Sequence, residues 1–261
     1  MASKRTASDK QGSVGALRSG KGRKSRGAGW ENFKAIASTL AVFLLIRTFL
    51  IEAYRIPSGS MIPTLLVGDW LFVNKLVYGP HIPGTDSNLP GYANPKRGDI
   101  VVFESPPQLD NPGDSIPTLV KRCVAVSGDT IQMKDGVLQV NGVPQRQGFA
   151  ASKNVKGEGG REDDLFRWQK PFELHNSRFG EPAAKSTLDN WGPLVVPSDK
   201  FFMLGDNRYE SKDGRYWGFV PRKNVRGRPV FVYYSYRADD SDRPLPFITD
   251  IRWSRIGTII R

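Results

Sequence analysis

Cysteine and histidine are scarce in this sequence, and their scarcity narrows the possible chemistry. The 261 residues include one cysteine, Cys123, and two histidines, His81 and His175. A single cysteine excludes an intramolecular disulfide and any metal site built from several cysteines. A Ser-His-Asp triad needs a histidine as its base. Because His81 lies in a Pro/Gly-rich loop and His175 in a polar segment, we expect both to be exposed and such a triad to be absent.

Several familiar functional motifs are also missing. No glycine-rich phosphate loop stands between a strand and a helix, and no histidine pair has the spacing of a zinc protease helix. Acidic residues crowd the segment GDNRYESKDGR (residues 205–215), where turns and salt bridges explain them as well as catalysis does. We therefore predict neither a metal ion nor a cofactor.

The positive charge of the chain is unevenly distributed. The net charge is +12, and residues 1–29 carry eight lysines and arginines against one acid, Asp9. We interpret residues 1–29 as a disordered basic tail. Such a tail can contact nucleic acid or anionic lipid. Because no nucleic-acid-binding motif accompanies it, we predict membrane lipid as the partner and no nucleic acid.

One long apolar run is present, AIASTLAVFLLIRTFLI (residues 35–51), with Arg47 as its single charged residue. As a helix it would measure about 25 Å, slightly less than a ~30 Å hydrocarbon core. Trp30 and Tyr54 flank it, as aromatic residues do at membrane interfaces. The run could be a cleaved secretory signal, a buried core helix or an uncleaved membrane anchor.

The sequence favours the uncleaved anchor over the two alternatives. A cleavage site would need a small residue where Ile51 stands, two positions before Ala53. A core helix would show polar periodicity, which residues 40–46 lack. We therefore predict a single anchor at residues 30–53, with the basic tail in the cytoplasm and the rest of the chain outside.

The remainder of the chain is typical of a β protein. Asp135-Gly136 stands between two extended runs and predicts a two-residue hairpin. Residues 145–192 are polar and irregular, which suggests an insertion. Strand-like runs occur at 70–78, 99–105, 118–126, 200–206 and 228–236. We predict a mostly β, antiparallel, barrel-like catalytic domain (54–132 and 196–261) with an inserted cap subdomain (133–195), preceded by one transmembrane helix.

Without a suitable histidine, a serine activated by a lysine remains as a catalytic pair. A lysine of pKa ~10.4 is neutral in about one molecule in a thousand near pH 7.4. Lowering its pKa to about 8 requires about 3 kcal/mol, which burial can supply. In TLVKRCVAV, alternation places Lys121 on one strand face with Leu119, Cys123 and Ala125. A Lys-Arg pair is equally typical of a solvated edge, and alternation does not say which face is buried.

A serine of unusual context follows the apolar run, in YRIPSGSMIPTL (residues 54–65). The tetrapeptide Pro-Ser-Gly-Ser alone would indicate a surface turn. However, Pro57 and Pro63 stiffen the segment, and Gly59 permits unusual backbone angles. A nucleophile needs such a fixed position, so Ser60 is a candidate.

These residues resemble bacterial type I signal peptidase, the Ser-Lys membrane protease that removes signal peptides from exported preproteins. The similar segments are IPSGSMIPTLLVGDWLFVNK, RGDIVVF, VKRCVAVSGD, FFMLGDNRYESKDGRYWGFVP and SRIGTI (56–75, 97–103, 120–129, 201–221 and 254–259). They cover about a quarter of the chain in the family's order. Tyr209, Glu210 and Gly214 depart from the family's pattern.

The resemblance implies roles for particular residues. Ser60 would be the nucleophile, Lys121 the general base, and Ser58 with the Ser60 N–H the oxyanion donors. Ser211 would orient the lysine, with Asp213 and Arg215 as a structural pair beside it. The walls of shallow pockets for small substrate side chains would be formed by Ile56, Met61, Leu65 and Val120.

The function implied by the resemblance is cleavage of preproteins after Ala-x-Ala-type sites. The implied location is the bacterial cytoplasmic membrane, with the catalytic domain on its outer side and a functional link to the export machinery. A different possibility is a non-catalytic, membrane-tethered β module that binds envelope partners. The non-catalytic module predicts no proteolysis and no effect of Ser60→Ala on binding, whereas the peptidase requires Ser60 and Lys121.

Overall fold

The structure is a computed structural model that describes residues 27–107, 117–145 and 166–261. The chain divides into two compact units between Val42 and Phe43. The predicted basic tail falls outside the described residues except for its last three positions, and so does part of the predicted insertion.

An apolar helix, α1, opens the described chain and runs from Ala28 to Phe49. Within Gly29–Phe49, an 18-residue window has a mean hydropathy of 1.4, and none of that window is buried. With 22 residues, it is about 33 Å long, which is enough to cross a bilayer. The predicted anchor at 30–53 also includes the start of a strand, because the chain becomes extended at Ile51.

Short helices and eleven strands follow in the rest of the described chain. The strands are β1 Ile51–Arg55, β2 Asp69–Asn74, β3 Ile100–Glu104, β4 Thr118–Ala125, β5 Thr130–Lys134, β6 Val137–Val140, β7 Val143–Pro144, β8 Trp191–Val195, β9 Lys200–Leu204, β10 Val220–Pro221 and β11 Val225–Ser235. The helices are α2 Gly214–Trp217 and α3 Pro246–Thr249, with 3-10 turns at Gly59–Met61, Arg167–Phe172, Arg208–Glu210, Arg222–Asn224 and Trp253–Arg255.

All strand pairs are antiparallel and form two sheets. The larger has the order β1-β2-β11-β3-β4-β9-β10, and the smaller has the order β7-β6-β5-β8. The predicted mostly β, antiparallel fold with one N-terminal apolar helix is therefore confirmed. β1 was not expected as a strand, because its apolar start continues the run of α1.

The smaller sheet contains the predicted hairpin. Lys134 pairs with Val137, and Asp135 and Gly136 between them have φ angles of 48° and 76°. Positive φ at both central residues is what a type I′ turn requires. The cap boundary predicted at residue 133 falls within β5, which pairs with β8 on its other side.

β4 is packed on both faces. Val124 and Ala125 belong to one apolar cluster, Cys123 to a second, and Val120 packs against a third. The predicted alternation of side chains between the two faces holds up to Cys123. After Cys123, the register against β9 shifts, and the successive side chains of Val124 and Ala125 enter the same cluster. The middle of this strand is thus deep in the protein.

A buried ion pair ties the C-terminal segment to the start of β2. Asp69 is fully buried and accepts bonds from Arg255 Nη2 at 2.6 Å and Arg255 Nε at 3.0 Å. Ser235 Oγ donates to the same carboxylate at 2.7 Å. Arg255 also donates to the carbonyl of Thr64 at 3.0 Å. This arrangement fixes the segment that follows Ser60.

We predict that Arg255→Met destabilises the protein by about 3 kcal/mol, because it leaves the buried Asp69 carboxylate without a cation. The urea midpoint of the full chain in detergent measures the change. The matched control is Lys223→Met, which breaks an exposed 3.5 Å pair with Asp86 and should change stability by less than about 0.5 kcal/mol. Equal effects of the two substitutions would contradict the prediction.

Candidate active site

Ser60 lies at the centre of a 3-10 turn, Gly59–Met61, that follows an extended segment. The Ile56 N–H donates to Asp69 O at 2.8 Å, so hydrogen bonding between the chain before Ser60 and the start of β2 continues past β1. The Ser60 side chain is buried, with 7% of the residue exposed. Ser58 precedes the turn in an extended conformation; it is exposed, and its hydroxyl makes no capping bond. Ser58 therefore keeps a hydroxyl available beside Ser60.

Lys121 lies in the middle of β4 and points toward Ser60. Its backbone is paired with Val101 of β3, and only 3% of the residue is exposed. Its Nζ is 2.5 Å from Ser60 Oγ, although 61 residues separate the two in sequence. Alternation in the sequence did not decide whether the face of β4 that carries Lys121 is buried, and in the structure Lys121 is buried.

The environment of Lys121 makes its amine a usable base. Burial lowers the pKa of Lys121 to about 8; Asp213 raises it, Arg215 lowers it and Asp206 raises it by smaller amounts. At pH 7.4 a lysine of pKa 8 is neutral in about one molecule in five, against about one in a thousand for an ordinary lysine. A neutral amine at hydrogen-bond distance can take the proton of a serine hydroxyl.

Asp213 and Arg215 form a buried ion pair close to this lysine. Arg215 Nε donates to Asp213 Oδ1 at 2.8 Å, and the Gly205 N–H donates to Asp213 Oδ2 at 3.0 Å. Burial by itself raises the pKa of Asp213, but the charge and hydrogen bonds of Arg215 outweigh it and hold this pKa below its usual range. The pair therefore stays ionised and holds the 205–215 loop in place.

A second buried ion pair was not anticipated from the sequence. Arg122, the residue after Lys121, donates to Asp206 through Nε at 2.7 Å and Nη2 at 2.6 Å. Thr64 Oγ1 donates to the same carboxylate at 2.5 Å. Arg122 thus ties β4 to the 205–215 loop and to the segment after Ser60. The only sequence signal was its position beside Lys121, which also suggests a solvated Lys-Arg edge.

Asn207 and Arg208 complete the contacts of that loop and were also missed as site residues. The Asn207 N–H donates to Ser60 O at 3.1 Å, and its side-chain amide donates to Gly59 O at 3.2 Å. Arg208 Nε donates to Gly205 O at 2.9 Å, and its buried Nη1 has no hydrogen-bond partner among the described residues. Asn207 thus holds the turn that carries Ser60 by its backbone carbonyls.

Ser211 is buried next to Gly205, where the loop approaches the nucleophile turn. A Cβ atom at Gly205 would come 2.5 Å from Ser60 O and even closer to Ser211 Oγ. Ser211 Oγ makes no short hydrogen bond among the described residues, although its hydroxyl helps to lower the pKa of the nearby Asp213 carboxylate. The bond to Lys121 that the resemblance implies is therefore not formed here. Lys121 Nζ instead donates to Ser60 Oγ.

The four predicted pocket residues come together in one apolar cluster. Ile56, Met61 and Leu65 are its buried members, and the half-buried Val120 packs against them. Ile56, Met61 and Leu65 flank Ser60 in sequence, and Val120 directly precedes Lys121. This cluster provides an apolar floor beside the two polar groups.

The two histidines do not supply a base for Ser60. His81 Nδ1 is bonded to Asn88 Oδ1 at 3.0 Å, and His175 lies near Glu173 and Glu181 at 3.8 and 3.7 Å. The expectation of exposure is confirmed for His175 and wrong for His81, which is half-buried by that contact. Among the described residues, no cluster of His, Cys, Asp and Glu could hold a metal ion.

Comparison with known proteins finds a matching family. A family model described as signal peptidase, peptidase S26, matches residues 29–234. This chain belongs to the signal peptidase family.

Curated signal peptidases are similar over most of their length. Signal peptidase I of Pseudomonas aeruginosa is 32% identical over 243 residues, which cover 88% of this chain and 78% of that protein. Signal peptidase I of Aquifex aeolicus is 34% identical over 222 residues, covering 74% and 79%. The match of the signal peptidase family model includes Ser60, Lys121 and the 205–215 loop.

We predict that Gly205→Ala lowers peptidase activity about a hundredfold, because its methyl group would displace Ser60 or Ser211 by a sizeable fraction of an ångström. Cleavage of a signal-peptide substrate measures the effect. The control is Gly29→Ala, where an added Cβ has nothing within 4 Å and should leave the rate unchanged. A fully active Gly205→Ala protein would show that the contact between the loop and the nucleophile turn is dispensable.

Proposed function

We propose that this protein is a membrane-anchored serine endopeptidase that removes N-terminal signal peptides from exported preproteins by means of a Ser60–Lys121 pair. The single observation that supports this proposal most strongly is the 2.5 Å contact between Lys121 Nζ and Ser60 Oγ, both in buried residues. A buried lysine is costly unless it has a use or a partner. A non-catalytic binding module gives no reason for this placement.

The first step is attack of Ser60 on the substrate carbonyl. The neutral Lys121 amine takes the proton of the Ser60 hydroxyl as Oγ bonds to the carbonyl carbon, and the carbonyl electrons move to oxygen. The Ser60 N–H and the Ser58 hydroxyl bind the resulting oxyanion. Two features support this assignment: the first N–H groups of a helical turn lack an intrahelical acceptor, and Ser58 has an exposed hydroxyl with no capping bond.

The second step expels the mature protein and releases the signal peptide. The Lys121 ammonium returns its proton to the leaving nitrogen as the C–N bond breaks, leaving an ester on Ser60 Oγ. Lys121 then takes a proton from a water molecule that attacks this ester, and it returns the proton to Ser60 Oγ as the ester breaks. Lys121 ends neutral and Ser60 regains its hydroxyl, so no external acid or cofactor is consumed.

The substrate binds, in this proposal, as an extended segment along β4. β4 pairs with β9 only from Arg122 to Ala125, so the edge of Thr118–Lys121 away from β3 has no partner strand among the described strands. An unpaired edge accepts an extended peptide. In such a peptide the first and third residues before the cut point to the same side, toward the cluster of Ile56, Met61, Leu65 and Val120. This closely packed floor favours small side chains such as alanine.

The 205–215 loop positions the lysine. Asp213 and Arg215 hold the loop backbone, since Arg215 Nη2 also donates to the carbonyls of Arg208 at 2.7 Å and Ser211 at 3.1 Å. The buried Ser211 hydroxyl makes no short hydrogen bond here, so it can gain a stronger partner at another stage. We assign it the role of orienting Lys121 once substrate has drawn the Ser60 hydroxyl into reaction.

The location follows from α1. Its length and exposed apolar surface fit a single membrane span, and the positive charge of residues 1–29 favours a cytoplasmic N-terminus. The catalytic domain then lies on the outer side of the bacterial cytoplasmic membrane, in contact with lipid. Export machinery would deliver its substrates. Ser60 follows the end of α1 by only eleven residues, close to where a membrane-embedded signal peptide emerges.

We expect Ser60→Ala and Lys121→Met each to lower cleavage of a preprotein by at least about a thousandfold, when that preprotein has alanine at the first and third positions before the cut. Each substitution removes one of two groups that act together, so losing either one removes the function of both. Gel separation of precursor and mature forms measures the rate. Lys223→Met is the control for loss of a lysine. Thermal unfolding should show that the two inactive proteins remain folded, and normal cleavage by either would refute the mechanism.

The activity should also depend on pH as Lys121 titrates. Catalysis needs the neutral amine, so kcat/KM should rise with pH up to a plateau above the Lys121 pKa of about 8. Well below that pKa, the rate should fall about tenfold for each pH unit. Steady-state assays across this range measure the profile. A rate that stays constant from neutral to acidic pH would be incompatible with a lysine base.

A further inference from the structure

The junction between α1 and β1 contains a lysine that the mechanism does not use. Lys75 Nζ donates to the carbonyl oxygens of Arg47 at 3.2 Å and Thr48 at 3.1 Å, in the last turn of α1. It also lies 2.6 Å from Glu52 Oε2 in β1. We call these four groups the anchor clamp: the Lys75 ammonium, the Glu52 carboxylate and the carbonyls of Arg47 and Thr48.

The anchor clamp supplies hydrogen-bond partners to the last carbonyls of α1 and to the Lys75 ammonium. The last carbonyls of a helix have no intrahelical donor, and a cation near them is favoured by the helix dipole. Lys75 has three N–H donors, and each has an acceptor in the clamp. The side chains are largely withdrawn from solvent, with 14% of Lys75 and 28% of Glu52 exposed. The contact is therefore more ordered than an ordinary surface pair.

The clamp spans the point where the chain would otherwise bend most easily. α1 ends at Phe49 and β1 begins at Ile51, so a single residue, Leu50, links helix and strand. The backbone adds one restraint, a 2.9 Å bond from the Lys75 N–H to Leu50 O. The Lys75 side chain adds bonds to both sides of the link. The last turn of α1 is thus fixed to β1 rather than joined to it by a hinge.

The clamp is connected to the nucleophile through one continuous ladder. β1 and β2 pair from Ile51 with Asn74 to Arg55 with Trp70, and the ladder continues to the 2.8 Å bond from the Ile56 N–H to Asp69 O. Lys75 lies at one end of this ladder, and the turn of Ser60 follows directly from the other. A shift of the last turn of α1 against β1 would therefore change the distance from that turn to Ser60.

We propose that Lys75 is a positioning residue: by locking the last turn of α1 to β1, it sets the depth at which Ser60 meets the bond cut in a membrane-embedded substrate. This inference rests on the proposed function. A substrate held in the bilayer presents its bond at a fixed depth, so a loosened anchor reduces the share of productive encounters. A short soluble peptide can approach from any direction and does not depend on that alignment.

The test compares two substrates with the same cleavage site. One is a preprotein reconstituted with the full-length enzyme in liposomes, and the other is a short soluble peptide assayed in detergent. Lys75→Met keeps the length of the side chain but removes its donors. We expect the ratio of preprotein to peptide kcat/KM to fall about tenfold, with peptide cleavage within about twofold of wild type. Mass spectrometry of the product should show additional cleavage positions near the normal one.

Two further variants make the result decisive. Glu52→Gln removes one charge of the clamp but leaves the bonds to the α1 carbonyls, and we expect a smaller selective fall of about threefold. Lys223→Met removes a lysine whose 3.5 Å pair with Asp86 lies away from the junction, and it should leave the ratio unchanged. Glu52→Gln also keeps the test valid if Lys75→Met does not fold.

The inference is overturned if the ratio is unchanged in Lys75→Met and Glu52→Gln, including the case in which both substrates slow equally. It is also overturned if Lys75→Met fails to fold and Glu52→Gln leaves the ratio unchanged. These outcomes differ from a failure of the proposed function, in which the wild-type enzyme would cleave neither substrate.

Discussion

The rest of the structure depends on one constraint, that the amine of Lys121 is buried beside Ser60 and neutral in a sizeable fraction of molecules. In water this amine would be almost fully protonated. β4 provides the burial because it lies between β3 and β9, with apolar clusters on both of its faces. The strand also fixes the direction of the side chain, so Nζ reaches Ser60 Oγ without help from a histidine.

The charged groups around Lys121 must not raise its pKa back to that of an ordinary lysine. An unpaired carboxylate beside Lys121 would favour the ammonium form. Asp206 is bound by Arg122 and Asp213 by Arg215, so each carboxylate near the lysine is matched by a guanidinium. Arg208 adds a further buried cation in the same loop. The ion pairs that hold the 205–215 loop against the nucleophile turn therefore also keep the surroundings of Lys121 from becoming negative.

Local patterns in the sequence predicted part of the fold and part of the candidate site. Alternation and turn residues predicted the positions of β3, β4, β9 and the Asp135-Gly136 hairpin, and the family motifs pointed to Ser60 and Lys121. Local patterns could not show that Arg122 meets Asp206 or that Arg255 meets Asp69, because these partners are 84 and 186 residues apart. They also missed β1, whose apolar first residue reads as an extension of α1. Hydrophobicity alone does not distinguish the end of a membrane helix from the start of a half-buried strand.

The central claim is that burial makes Lys121 a base near neutral pH, and direct titration of its amine tests it most closely. NMR of isotope-labelled lysine in the full-length protein would follow Lys121, with its signal assigned by its loss in Lys121→Met. The account predicts a pKa of about 8. A pKa near the ordinary lysine value of ~10.4 would contradict it.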